Sequence, residues 1–144
     1  MKLFCLHGHD NDNYVLNQCI DLKRCDFCGY LLNKWELDFA SVDIKTQMDV
    51  STTYDGFFIV SETFKSVCEQ YHFAGAKFFS THNNLYVLRP EPIVVFDYEK
   101  RETRFESYCN NCNNYKNVAG ATPIYLKTTN SIVSNSFYRT DIEF

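Results

Sequence analysis

A chain of 144 residues that is 45% apolar, 17% aromatic and 22% charged has the length of a single domain, and enough apolar content to build a core without disulfides. Intrinsic disorder is excluded, because disordered chains lack apolar and aromatic side chains. A net charge of −4 argues against a strong nucleic-acid binder, which needs a basic face to displace the counterions of phosphate.

In chain order, residues 1–6 read as a short strand stopped by the polar turn 7–13, and residues 14–22 as a second strand. Trp35, Leu37 and Phe39 alternate with Glu36 and Asp38, the pattern of a half-buried strand. Tyr54-Asp55-Gly56 reads as a turn entering a buried strand at 57–60. The principal helix follows at about 61–73, with Ser61 as its N-cap and Glu62 at the positive end of its dipole. Phe64, Val67, Cys68 and Tyr71 form one apolar stripe, expected to be buried, and Gly75 supplies the stop. With a strand at 77–79, residues 56–80 make a strand–helix–strand unit, a right-handed crossover if its strands are parallel.

Short strands follow at 85–89, 93–98 and 104–109, separated by turns at 82–84, 90–92 and 99–102; two more fall within 123–144. The fold class read from this pattern is α+β: one domain spanning 1–144, mainly short antiparallel strands with one principal helix. No run approaches the roughly 20 apolar residues of a membrane-crossing helix. The apolar residues 3–6 are too few for a signal-peptide core, so the protein is expected in the cytoplasm.

Seven cysteines in a reducing compartment point to metal or free thiols rather than to a disulfide framework. Four of them form two Cys-x-x-Cys pairs: Cys25 with Cys28, and Cys109 with Cys112. Four thiolates complete the tetrahedral shell of a structural zinc, each pair coming from one tight turn, or knuckle, at 25–30 and at 109–114. The residue after the second cysteine of such a turn favours a left-handed backbone. Glycine adopts it freely and asparagine is the next most tolerant, and Gly29 and Asn113 stand there. The pattern therefore predicts one zinc site, a split zinc-ribbon-like pair, with Cys25, Cys28, Cys109 and Cys112 as ligands. Two unrelated thiol pairs remain an alternative, as does a redox dithiol, although neither pair opens a helix that would lower a thiol pKa. Four thiolates also suit iron, alone or in a cluster. Cys5, Cys19 and Cys68 read as core residues. His7, His9, Asp10 and Asp12 could form a hard-metal or acid–base cluster, but Gly8 and the Asn-Asp-Asn run favour a solvated turn.

These knuckles, the stretch Asp55-Gly56-Phe57-Phe58-Ile59-Val60-Ser61-Glu62-Thr63-Phe64-Lys65 between them and the later Arg139-Thr140-Asp141-Ile142-Glu143-Phe144 resemble the double CxxCG-motif proteins. These are small bacterial proteins often found among the immunity proteins of toxin–immunity systems. The resemblance runs from Cys25 to the C-terminus; the first knuckle matches in full, and the second has Asn113 in place of the glycine. It implies a structural zinc and a partner toxin domain that the protein neutralises. A zinc-ribbon nucleic-acid adaptor would need a basic stripe, but Lys23-Arg24 and Lys100-Arg101 are diluted by nearby acids. A catalytic zinc keeps an open position, and four thiolates leave none. The expectation is therefore a non-enzymatic, zinc-stabilised binding protein. Its partner surface is expected to be acidic and aromatic, drawing on Glu99, Glu102 and Glu106 with Tyr98, Phe105, Tyr108 and Tyr138.

Overall fold

The computed structural model describes residues 3–127 and 132–142. Its main sheet contains β1 (His9–Asp10), β2 (Val50–Thr52), β3 (Phe58–Ser61), β4 (Ala76–Ser80) and β5 (Leu85–Pro90), in the spatial order β1-β2-β3-β5-β4. Every pairing is antiparallel except that of β1 with β2. Because β5 runs against both of its neighbours, β3 and β4 are parallel to each other. Helix α1 (Glu62–Gln70) is the crossover between them, and β5 fills the position that it skips. The fold is α+β, in line with the sequence pattern.

The strand period of two sends Phe57 and Ile59 to one face of the sheet and Phe58 and Val60 to the other. On the first face Phe57, Ile59 and Val87 pack with Val15, Leu37, Phe39, Val42 and Ile44 into the main core. The Phe57 ring meets Trp35 and Phe39 edge-on, each 5.7 Å away between centroids. The second face carries α1: Lys65 lies over the Tyr86 ring at 4.6 Å, and Tyr86 is the register partner of Val60.

Ser61 ends β3 and caps α1, its hydroxyl accepting the Phe64 amide at 3.1 Å. Ser61→Ala is expected to cost about 1 kcal/mol, read as a shifted denaturant midpoint. The helix is shorter than the expected 61–73, because His72 turns left-handed at φ 53° before Gly75 is reached. The apolar stripe is only partly buried. Cys68 is buried and Phe64 half-buried, while Val67 and Tyr71 are 43% and 61% exposed. A single short helix on a narrow sheet covers only its i, i+4 line, so the flank of the stripe stays in water.

The N-terminal third departs most from the sequence reading. Residues 3–6 form no strand, and Phe4 is 89% exposed. The strand starts instead within the polar turn, at His9–Asp10. Gly8 makes this possible: a Cβ there would lie 2.6 Å from the Ser51 carbonyl carbon, so only glycine lets the chain lie against β2. Side-chain bonding adds to the pairing, with Asn11 Nδ2 donating to Ser51 Oγ at 2.9 Å. Residues 14–22 contain a 3₁₀ turn (Leu16–Gln18) rather than a strand. Asp55 holds this turn by accepting the Val15 and Leu16 amides at 2.9 and 2.7 Å. Leu37 and Phe39 are buried while Glu36 and Asp38 are exposed, so the alternation at 35–39 is real, yet the segment joins no ladder. Periodicity reports an extended chain with one wet face; it does not report a pairing partner.

Beyond β5, the expected strand 93–98 reduces to β6 (Ile93–Val94). Asp97 then caps helix α2 (Tyr98–Arg101), which occupies most of the expected 99–102 turn. Strand β9 (Arg139–Thr140) pairs parallel with β6, and Asp141 accepts the Phe96 amide at 2.8 Å. Of the strands expected within 123–144, only β9 forms: the described residues 123–127 and 132–138 carry no more than isolated bridges, Leu126 to Phe96 and Ser136 to Ala74, and residues 128–131 and 143–144 lie outside the described residues. Strands β7 (Arg104–Cys109) and β8 (Asn114–Ala119) form a separate two-stranded hairpin. Such a hairpin is marginal in water unless something anchors it.

Candidate metal centre

The two Cys-x-x-Cys segments fold identically. In the first, Arg24 and Leu31 bridge as antiparallel partners, and the Gly29 amide donates to the Cys25 carbonyl at 2.8 Å. In the second, Tyr108 and Tyr115 are the equivalent pair, and the Asn113 amide donates to the Cys109 carbonyl at 2.8 Å. Gly29 and Asn113 both take the left-handed backbone, at φ 75° and 56°. Asparagine thus fills the glycine position of the second knuckle without changing its geometry. Each knuckle is a hairpin tip that aims two sulfurs the same way.

The tips face each other across 84 residues of sequence. Cys25 and Cys109 bring their sulfurs to 3.8 Å, Cys28 and Cys112 to 3.6 Å, and all four ligand atoms lie within 4.8 Å of one another. A tetrahedron of Zn–S bonds of about 2.3 Å sets its sulfurs about 3.8 Å apart, so the cluster has the dimensions of a four-thiolate metal shell. The four cysteines can hold a metal ion, and their geometry is compatible with zinc. Cys25 and Cys109 are buried, and Cys28 and Cys112 are half-buried. A shallow open pocket runs past Cys28 and Cys109, bordered by Phe27, Tyr108 and Lys116.

The electrostatics of the cluster favour a cation. The Cys28 amide, the Asn111 side chain and the Phe27 amide all hydrogen-bond the Cys25 sulfur and draw its thiol down to about 6. The Cys112 and Asn111 amides likewise lower Cys109. At Cys28 the Tyr30 amide acts in the same direction. It is outweighed by desolvation and by the neighbouring sulfurs of Cys109, Cys112 and Cys25, which push the thiol up to about 12. Left to themselves the sulfurs do not all ionise together; a divalent cation supplies the charge that lets them do so. Protons compete with metal for the same sulfurs, so acidification is expected to release bound metal, checked by a chromogenic chelator along a pH titration.

The first knuckle is closed by Asn33, which accepts the Lys23 amide and donates to the Asp21 carbonyl, both at 2.9 Å. The second is the turn of the β7–β8 hairpin. In that hairpin Ser107 takes a left-handed backbone at φ 58°. Residues three apart in a regular strand point to opposite faces, yet Phe105 and Tyr108 both stack on Tyr115 at 4.9 Å. The row continues from Phe105 to Tyr98 at 5.5 Å, and Tyr98, Tyr108 and Tyr115 are exposed.

Among the described residues the four cysteines are the one group of three or more His, Cys, Asp and Glu side chains placed to hold a metal ion; His7, His9, Asp10 and Asp12 do not converge. Asp12 instead accepts the Tyr54 hydroxyl at 2.6 Å. Of the remaining thiols, Cys68 is buried and Cys19 packs at the edge of the core, and desolvation raises both. Cys5 is exposed rather than in the core, because its segment forms no strand. Asn33, Ser107 and Asn111 carried no sequence signal beyond an asparagine-rich stretch at 110–117. No helix among the described residues is long and apolar enough to cross a membrane. Compared with family models, curated proteins and solved structures, the chain gives no significant match.

Proposed function

We propose that the chain is a non-enzymatic binding protein built around a structural zinc, and that it acts as an immunity protein neutralising a bacterial toxin. One observation carries the first part: four sulfurs from two matched hairpin tips lie within 4.8 Å, a complete shell with no position left for a substrate. Zinc bound there ties the β7–β8 hairpin to the first knuckle and serves architecture rather than turnover. The toxin partner is what the resemblance to the double CxxCG-motif proteins implies.

The hairpin and α2 offer a surface of the kind that binding needs. Tyr98, Tyr108 and Tyr115 present exposed rings, and aromatic anchors dominate interface energetics. Glu99, Glu102 and Glu106 are exposed around them, suited to steering a basic partner. The test is co-expression with a toxin encoded beside this gene. The intact chain is expected to restore growth; lack of protection by a well-folded, zinc-loaded chain would contradict the immunity role. Reversing the charge of Glu99, Glu102 and Glu106 together is expected to slow association with the toxin and flatten its salt dependence, measured by stopped-flow or surface plasmon resonance. Unchanged association would reject this face.

A further inference from the structure

The two knuckles match in backbone but not in what they do with the residue before the second cysteine. In the first knuckle that residue is Phe27, and its side chain is 80% exposed. In the second it is Asn111, whose side-chain amide crosses to the opposite knuckle and donates to the Cys25 sulfur at 3.5 Å. The Asn111 backbone amide also hydrogen-bonds the sulfur of its own knuckle, at Cys109. One residue therefore serves a sulfur in each knuckle, and those two sulfurs stand 3.8 Å apart.

A thiolate shell around a divalent ion carries net negative charge, and hydrogen-bond donors aimed at the sulfurs offset it. Such outer partners also fix ligand orientation, and losing one costs metal affinity. Most donors here are backbone amides, which come with the knuckle fold whatever the side chains. The Asn111 side chain is different: it bridges two segments that are remote in sequence. We propose that Asn111 is a positioning residue that joins the two knuckles into one high-affinity zinc site, by donating its side-chain amide across to Cys25. The proposal rests on the zinc reading of the four cysteines. Asn111 itself is exposed, so removing its amide opens no cavity and leaves the core untouched.

The test is zinc affinity, by competition with a chromophoric chelator, in the wild type, Asn111→Leu, Asn111→Asp and Phe27→Leu. Asn111→Leu keeps the side-chain size and removes the donor, and is expected to weaken zinc binding about 10–100-fold. Asn111→Asp sets a carboxylate against the sulfur and is expected to weaken it further. Phe27→Leu, at the matching place in the other knuckle, is expected to leave affinity unchanged. Equal affinity in Asn111→Leu and wild type would overturn the proposal, as would an equal loss in Phe27→Leu. A second measurement needs no variant. In the wild type loaded with an NMR-active cadmium isotope, the Asn111 side-chain amide proton is expected to show coupling to the metal through the N–H···S bond. Its absence, with backbone amides of the knuckles coupled, would overturn the proposal even if the variants failed to fold. A wild type that binds neither metal would instead refute the zinc reading itself.

Discussion

Cys109→Ser is expected to purify without zinc and with the β7–β8 hairpin released from the first knuckle. Cys109 closes β7, is buried, and stands 3.8 Å from Cys25 across the cluster. Structural four-coordinate zinc contributes on the order of 10 kcal/mol to folding at neutral pH, and three thiolates with a hydroxyl retain little of that. The loss should be local before it is global, since the hairpin forms its own two-stranded sheet and, among the described residues, has no third strand to hold it. Hydrogen exchange reads this directly. Amides of β7 and β8 are expected to lose protection in the variant, while those of β3 and β5 in the middle of the main sheet keep theirs. Retained zinc and unchanged protection in β7–β8 would contradict the anchoring role.

The second large effect is expected at Phe57. Its side chain is fully buried, with Trp35 and Phe39 edge-on against the ring, and it seats the irregular segment 15–44 on the sheet. Phe57→Ala is expected to cost about 3–5 kcal/mol, from lost transfer energy and from a cavity that a rigid sheet cannot close. A denaturant titration of the zinc-loaded protein measures it. A change below about 1 kcal/mol would mean that segment 15–44 does not pack as described. The two effects should be separable, since the cavity at Phe57 leaves the four sulfurs in place and Cys109→Ser leaves the core filled.

The four-cysteine cluster is legible in the sequence because its rule is local. Cys-x-x-Cys followed by a left-handed residue is written in five consecutive positions, and Gly29 and Asn113 take the backbone that this rule requires. Their matched grammar implies that the two pairs meet across 84 residues, and the sulfur distances agree with it. Helix α1 was legible for the same reason: Ser61 is both its cap and its boundary. The N-terminal third was not legible, because distant partners shape it. His9–Asp10 becomes a strand only because Gly8 fits against Ser51, and the turn at Leu16 forms only because Asp55 reaches it from the start of the β3 turn. The role of Asn111 is not legible for a related reason. Nothing in an asparagine-rich turn says which amide faces a sulfur on the other side of the molecule. Strand periodicity likewise reads the faces of 35–39 correctly and does not say that the segment joins no ladder among the described residues.

The most direct test of the account is elemental analysis of the purified wild-type protein, followed by thermal unfolding with and without a strong chelator. One zinc per chain is expected, bound through all four of Cys25, Cys28, Cys109 and Cys112, with a marked fall in melting temperature when the metal is stripped. A protein that contains no zinc, takes none up when reduced and supplied with it, and melts at the same temperature with chelator would contradict it.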